Sequence, residues 1–305
     1  MKSYRVFGLR LKSDFELPEL RAAAESVADV SVRLGQIELT TVEDGLHSTG
    51  DRLLLVVAGI GRYLISTDEI IVEQAPEAPE RNVRLYLLGS AFGALLHLRG
   101  LLPLHANAVG LDGKAIAFMG RSGSGKSTLA AWFSKNGFQI FTDDVCVVEV
   151  ADDHAVVWPG LPRLRLWQDA LNAIGQDVHS LERSYVGDES YDKFDLPLDD
   201  EKLARRSADL QAIFLLVSGD SFNIRRLQGI EAIEALFANT YRGAFITQAG
   251  SQVAHWSAAM KLAAGTPVFE VVRELGLDKI DQQYGRLAHH CQRYFGDQAS
   301  VNDAA

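Results

Sequence analysis

The chain has 305 residues and a formal net charge of −10, with 47% hydrophobic and 23% charged residues. That is the composition of a soluble globular protein long enough for two domains, or one large one, and the acidic balance argues against nucleic acid or an anionic membrane as the main partner. It does not oppose a nucleotide, whose charge a local cradle and a metal ion can meet. The two cysteines, Cys146 and Cys291, form no close-spaced pair, so neither a disulfide framework nor a cysteine metal site is expected. Met1 to Arg10 lacks an apolar core of signal-peptide length. The longest apolar stretch, Leu85 to Leu98, counts 14 residues and suits a buried helix, being too short to span a bilayer. The expected location is the cytoplasm.

Residues 1 to about 80 read as a small β-rich unit. Tyr4-Arg5-Val6-Phe7, Leu9-Arg10-Leu11-Lys12 and Val30 to Leu34 alternate as strands do. Leu53 to Ala58, Arg62 to Ser66 and Glu69 to Glu73 read as three more, with turns at Gly59-Ile60-Gly61 and Thr67-Asp68. No catalytic constellation is visible here, and a scaffold or docking role is expected. Gln74-Ala75-Pro76-Glu77-Ala78-Pro79-Glu80 is a Pro/Glu-rich linker. The expected domains are 1–78 and 79–298, with 299–305 a frayed tail.

After the helix of Leu85 to Leu98, Leu101 to Val109 leads into a strand and Leu111-Asp112-Gly113-Lys114 makes a hairpin turn. Ala115-Ile116-Ala117-Phe118-Met119 reads as a buried parallel strand. It runs into Gly120-Arg121-Ser122-Gly123-Ser124-Gly125-Lys126-Ser127, which fits the phosphate-binding (Walker A) pattern of a Gly, four free positions and Gly-Lys-Ser. Thr128 to Asn136 then reads as a helix, with Leu129, Trp132 and Phe133 on one face and Gly137 at its C-cap.

Strand, glycine loop and helix are the context the motif requires. The glycines let main chain approach an anion closely, and consecutive N–H groups at a helix start form a cradle. Gly120 to Thr128 are therefore the expected nucleotide-binding residues. Lys126 would reach the β- and γ-phosphates, and the Ser127 hydroxyl would ligate magnesium.

Phe138-Gln139-Ile140-Phe141 reads as the next strand and ends in Thr142-Asp143-Asp144. Ligands of open α/β sheets sit beyond the carboxyl ends of strands. The two acids are thus expected near the γ-phosphate, one to hold magnesium and the other to take a proton from an attacking hydroxyl.

A hairpin is expected across Ala151 to His154, a break at Pro159-Gly160-Leu161-Pro162, then an extended Arg163 to Trp167 opening a helix through Ile174. Arg163 and Arg165 read as surface charges, with a phosphate clamp as the alternative. Ser184 to Asp200 reads as one long polar loop, in which Lys193 is either solvated or a phosphate or substrate contact.

Ala208 to Val217 reads as a central strand and Phe222 to Leu227 as a half-buried one. Helices are expected at 230–239, with Ile230, Ile233, Leu236 and Phe237 on one face, and at Ala249 to Ala264, with Trp256 and Met260 on one face. Pro267 to Arg273 reads as a strand and Asp278 to Tyr294 as a last helix. His289-His290-Cys291 reads as a polar terminal face rather than a metal site, because adjacent histidines on a helix point apart. The fold class expected is α/β, α+β over the whole chain.

From His105 to about Val148 the sequence resembles the HPr kinase/phosphorylase family. The matching residues are Leu104-His105-Ala106, Gly120 to Ser127, Lys135-Asn136-Gly137-Phe138 and Thr142-Asp143-Asp144-Val145. His105 precedes Lys126 by 21 positions (126 − 105) and Asp143 follows it by 17 (143 − 126). The wider pattern, Leu87-Leu88-Gly89, Arg99 to His105 and Pro159 to Trp167, is similar to the HPr-kinase-like proteins encoded with lasso-peptide biosynthesis genes.

The resemblance implies a P-loop kinase core of HPr kinase C-terminal type behind a small β-rich N-terminal domain. It implies an ATP- and Mg2+-dependent kinase acting on a serine hydroxyl of a peptide or protein, with a lasso precursor peptide as acceptor. The roles it implies are Asp143 as general base, Ser127 and Asp144 at magnesium, Lys126 on phosphate and His105 near the transfer site. The Glu-x-Arg-Gly-x-Gly signature of true HPr kinases is absent, Pro159-Gly160-Leu161-Pro162-Arg163 standing roughly in its place, which puts HPr as acceptor in doubt and leaves the reverse reaction open. A nucleotide-binding regulatory module without phosphotransfer and a small-metabolite kinase are the alternatives. GTP in place of ATP, and the oligomeric state, are left open by the residues.

Overall fold

The structure is a computed structural model and describes residues 1–40, 43–152, 154–188, 192–277 and 280–295. It is a mixed α/β fold with three sheets. Alternating apolar residues near the N-terminus produce β1 (Lys2–Val6), β2 (Leu9–Ser13) and β3 (Val30–Leu34). A meander follows, of β4 (Gly45–Thr49), β5 (Arg52–Val57), β6 (Gly61–Ile65) and β7 (Glu69–Gln74). They form one seven-stranded sheet in the order β1-β2-β3-β7-β6-β5-β4. Strand β4 has no counterpart in the sequence reading. Gly-Leu-His-Ser-Thr carries a single apolar side chain, and it is pairing with β5 that makes it a strand.

The helix expected from Leu85 begins earlier. Helix α1 (Glu80–Tyr86) passes through a π-helical turn at Leu87–Ala91 into α2 (Phe92–Leu98). Leu87, Leu88, Phe92 and Leu95 are buried with Val6, Leu11, Tyr63 and Ile70 of the first sheet, and the same cluster takes in Val145 and Val147. The Tyr63 hydroxyl donates to the Val83 carbonyl at 2.9 Å, fastening sheet to helix.

The second sheet carries the glycine loop. It uses β8 (Leu102–Leu104), β9 (Ala106–Leu111) and β10 (Lys114–Met119), and helix α3 (Lys126–Lys135) follows the loop. Then come β11 (Gln139–Thr142), β12 (Cys146–Val150) and β13 (Ala155–Val157). A small third sheet is made by β14 (Arg163–Trp167), β15 (Glu182–Arg183) and β16 (Lys193–Pro197), with α4 (Gln168–Ala173) after β14. The chain returns to the second sheet with β17 (Ala208–Ser218) and β18 (Asn223–Leu227). It continues through α5 (Ile230–Ala238), α6 (Phe245–Gln248), α7 (Gln252–Gly265), β19 (Val268–Arg273) and α8 (Ile280–Cys291).

The second sheet has nine strands, β11-β9-β10-β17-β13-β12-β8 with β19 beside β17 and β18 beside β19. Strand β10 lies parallel to β17 and antiparallel to β9. Its residues Ala115 to Met119 are all fully buried because both faces are covered. Ile116 and Phe118 point to the side of α3 and α8, where they meet Leu129, Phe133 and Phe214. Ala115, Ala117 and Met119 point to the other side, where α5 and α7 bring Leu236, Ala259 and Leu262. Phe118 lies 5.4 Å from Phe133 and 5.5 Å from Phe214, ring centre to ring centre. Removing one of these rings would cost about 3–5 kcal/mol.

Several expectations are corrected. Ser184 to Asp200 is not one loop: β16 lies within it and pairs residue for residue with β14. Phe194 is buried opposite Leu166, but Lys193, Asp195 and the surrounding acids hide the alternation. In α5 the buried residues are Ala232, Ala235 and Leu236, whereas Ile230 is exposed; in α7 they are His255, Ala259 and Leu262, whereas Trp256 and Met260 are exposed. Small alanines beside Leu236 and Leu262 let α5 and α7 pack closely, so Ile230, Trp256 and Met260 are left on the outer faces.

Asp278, where the last helix was expected to begin, lies outside the described residues, as do Asp153 of the expected hairpin, Glu189 to Tyr191 of the expected loop and the 299–305 tail. Among the described residues no helix is long and apolar enough to cross a membrane.

Candidate active site

The glycine loop joins the end of β10 to the start of α3. Lys126 and Ser127 are the first residues of α3, and Gly125 caps it in a left-handed conformation with φ of 80°. The left-handed backbone favours glycine here, and a Cβ at Gly125 would stand 2.8 Å from Arg273 Nη2 and push on the tip of that side chain. At Gly123, with φ of 82°, an added Cβ would meet nothing within 4 Å: main chain there is open to an approaching ligand. Arg121, Ser122 and Gly123 are exposed, Ser124, Gly125 and Ser127 are half-buried, and Lys126 and Thr128 are buried. The first-turn N–H groups of α3 have no intrahelical acceptors and point out of its N-terminal end, as a helix start requires.

Lys126 is folded against the loop. Its Nζ donates to the carbonyls of Gly120 at 2.7 Å and Arg121 at 3.2 Å, and lies 3.2 Å from His105 Nε2. Burial holds its pKa below the usual lysine value, against the opposing pull of Asp144 and Asp143. His105 stands in the break between β8 and β9, its backbone N–H donating to the Asn239 carbonyl at 2.6 Å. Its Nδ1 lies 3.2 Å from the Asp144 carbonyl. With Lys126 as donor, Nε2 accepts, and Nδ1 carries the proton given to that carbonyl. Burial and then the Lys126 charge push the imidazole pKa down, in keeping with this neutral form.

The acid pair closes the other side. Asp143 is 5% exposed and both its oxygens are engaged. Oδ1 accepts from the Ser127 hydroxyl at 2.9 Å and Oδ2 from the Arg165 backbone N–H at 2.7 Å. Burial, followed by the charge of Asp144, pushes its carboxyl up to about 6. Asp144 sits at the tip of a tight turn closed by the Val145 N–H on the Asp143 carbonyl at 2.8 Å, with φ of 65°. Left-handed backbone at a residue other than glycine costs on the order of 1 kcal/mol and gathers at functional sites. Burial raises the Asp144 carboxyl too, but the surrounding cations, Arg165 foremost and then Lys193 and Arg163, outweigh it and leave the pKa lowered.

Asp144 lines one pocket with His105, Lys126, Ser127, Lys193 and Trp167. Lys193 Nζ lies 4.9 Å from the Trp167 ring centre, and both line the pocket. Arg163 and Arg165 are not surface charges: their side chains are 11% and 15% exposed. Both point to Asp195, at 2.5 Å from Arg163 and 3.4 Å from Arg165, and Asp195 also accepts from Arg81 at 2.9 Å and Ser184 at 2.7 Å. Arg165 further reaches Asp144 at 3.4 Å. The β14–β16 pairing sets Arg165 opposite Asp195, which explains why two arginines tolerate this burial.

Residues absent from the sequence reading complete the site. Arg273, the last residue of β19, donates to the Ser124 carbonyl at 2.6 Å and stacks on Tyr284, bracing the loop from behind. The Asn107 side chain donates to the Lys126 carbonyl. The Tyr241 ring packs 6.3 Å from His105 and against Gly89 and Gly93 of the helix over the first sheet. Arg273 was open to discovery, since it ends a strand on the side where ligands of such sheets bind. Tyr241 carries no such signal. The remaining cluster, His289-His290-Cys291, divides between an exposed His289 and a buried Cys291.

The residues fit a magnesium nucleotide. Ser127 and the two carboxylates form an all-oxygen donor set of the kind a hard cation takes. Ser124 Oγ is buried with no partner among the described residues, inside a loop whose open main chain suits an anion.

No protein-family model matches the sequence, and no curated protein matches it. A solved structure, the Hpr(Ser) kinase/phosphatase from Coxiella burnetii, aligns over 63% of this chain and 97% of its own with 12% identity and a TM-score of 0.33. At that level the likeness establishes neither a shared fold nor a shared activity.

Proposed function

We propose that the protein is a magnesium-dependent kinase that transfers the γ-phosphoryl group of ATP, or GTP, to a serine hydroxyl of a peptide or protein. A lasso precursor peptide is the acceptor suggested by the sequence resemblance. The observation that carries the reading is the Ser127–Asp143 hydrogen bond, which sets a carboxylate pair against the start of the loop's helix.

In this reading the loop N–H groups and Lys126 hold the phosphates, and Arg273 and Asn107 keep the loop in shape. Magnesium, when bound, supplies charge neutralisation on the phosphates. The serine oxygen forms a bond to Pγ as the Pγ–O bond to the leaving nucleoside diphosphate breaks, and the serine proton passes to a carboxylate. The contacts favour a division of the acid pair opposite to that implied by the resemblance. Asp143, bonded to Ser127, stands with the metal donors, whereas Asp144 faces the pocket with His105 and Lys126 and would take the proton. His105, neutral and bonded to both Lys126 and the Asp144 main chain, positions these two groups.

Incubation with γ-labelled ATP and serine-bearing peptides tests the reading. Wild type is expected to label serine, and Lys126→Met to lose nearly all transfer. Nucleotide binding with no transfer to any hydroxyl acceptor would leave a regulatory nucleotide-binding module instead.

A further inference from the structure

A cleft of about 1010 Å³ opens between the first sheet and the second, away from the glycine loop. Five arginines line it, Arg5, Arg10, Arg21, Arg205 and Arg206, against two acids, Glu25 and Asp200. That is +3 (5 − 2) in a chain of −10, so the rest of the molecule carries −13 (−10 − 3). The cations are only partly neutralised. Arg10 is held two-pronged by Asp29 at 2.7 and 2.9 Å, and Arg21 and Arg205 share the single carboxylate of Asp200. Arg5 and Arg206 are exposed, with no ion pair among the described residues.

The arrangement runs against what folding alone favours. Arg5 and Arg10 stand directly opposite each other across β1 and β2, a like-charge pair that weakens a sheet. The cleft is not purely polar: Trp158 lies across Gly8 on one wall, and Phe141 belongs to the same wall. Phe141 is on β11, two residues before Asp143 in sequence.

We propose that this cleft docks an acidic stretch of polypeptide. On the kinase reading, it is a stretch of the acceptor chain lying outside the phosphorylated serine. Guanidinium forks match carboxylates two-pronged, and the aromatic wall accepts intervening apolar side chains. A peptide also brings N–H donors for Glu25 and Asp200, which a nucleic acid strand would meet with phosphates.

The test uses the full chain without nucleotide. The probe is a fluorescein-labelled peptide of about a dozen residues, rich in Glu and Asp, roughly 40 Å long when extended. Anisotropy is expected to show binding that weakens with salt. Arg5→Glu with Arg206→Glu is expected to weaken it about tenfold or more, and the milder Arg5→Gln with Arg206→Gln to weaken it less; thermal melts check that both stay folded. Lys126→Met is expected to bind the peptide like wild type, which separates docking from phosphate transfer. No peptide binding, equal binding of a neutral peptide of the same length, tighter binding of single-stranded RNA of equal charge, or wild-type affinity in the charge-reversed variant would each overturn the proposal.

Discussion

The Ser127 hydroxyl donates to Oδ1 of Asp143 over 2.9 Å, and so ties the first turn of α3 to the turn that ends β11. The two segments lie on strands that are not neighbours, since β9 separates β10 from β11. A side-chain bond across that gap holds the glycine loop and the acid pair as one unit. Asp144, next in sequence, is turned by its left-handed backbone toward His105 and Lys126 instead. Two adjacent carboxylates thus stand in different surroundings, one bonded to a hydroxyl and a backbone N–H, the other facing cations.

Exchange of each carboxylate for its amide separates their roles. Asp143→Asn is expected to raise the magnesium concentration needed for half-maximal transfer. Asp144→Asn is expected to lower kcat by roughly 10²–10⁴-fold with nucleotide affinity nearly unchanged. Steady-state rates over a magnesium titration check both. The opposite pattern would return the proton to Asp143, and wild-type kinetics in both variants would remove the pair from the chemistry.

The raised carboxyl of Asp143 also has a signature in stability. Its pKa in the folded protein is raised to about 6 from the ordinary carboxyl value of 3.8. Between those values the folded state holds the proton and the unfolded state does not, so this residue's contribution is present at low pH and lost as pH rises through about 6. The loss is up to a few kcal/mol. Asp143→Asn, which cannot ionise, is expected to gain stability relative to wild type on going from pH 4 to pH 7 on about that scale. Urea unfolding of both proteins across the range measures the difference, and a constant difference would mean that Asp143 is not raised.

Asp195 is the shared acceptor of Arg81, Arg163 and Arg165. Asp195→Asn keeps the shape and removes the charge, leaving Arg163 and Arg165 poorly compensated. A cost of about 3–5 kcal/mol is expected, read as a lower urea midpoint. Transfer should fall too, because Arg165 is the residue that links this cluster to Asp144. A cost below about 1 kcal/mol would show that the arginines are as well served by water as by the carboxylate.

The loop, its flanking strand and helix and the acid pair were legible because each depends on local rules. Glycine spacing, a short apolar run and a helix start are written in consecutive residues, and their mutual placement follows from where strands of such a sheet end. What escaped depends on distant pairing. Arg163 and Arg165 look like surface charges until β16 supplies Asp195 from thirty positions further on (195 − 165). Strand β16 is itself concealed, because the acid that neutralises the arginines breaks the apolar alternation. Strand β4 exists only by pairing with β5. Tyr241 reaches the site because Gly89 and Gly93 leave room for its ring, a relation between segments far apart in sequence.

Two glycines allow conformation and contact to be separated. Gly125 and Gly137 both have positive φ, 80° and 89°, at opposite ends of α3. Alanine at Gly137 meets nothing within 4 Å, so only the backbone penalty of about 1 kcal/mol is expected, with nucleotide binding unchanged. Alanine at Gly125 bears the same penalty and also drives its Cβ to 2.8 Å from Arg273 Nη2 and 3.2 Å from Tyr284 Oη. Arg273 must then move off the Ser124 carbonyl, and the loop loses its brace. Gly125→Ala is therefore expected to weaken nucleotide binding at least tenfold, about 1.4 kcal/mol, and Arg273→Ala, which makes room but removes the brace, to weaken it as well. Calorimetric titration of nucleotide into the three variants decides. If Gly125→Ala binds as tightly as Gly137→Ala, the contact with Arg273 does not shape the loop, and the phosphate cradle would have to be sought elsewhere.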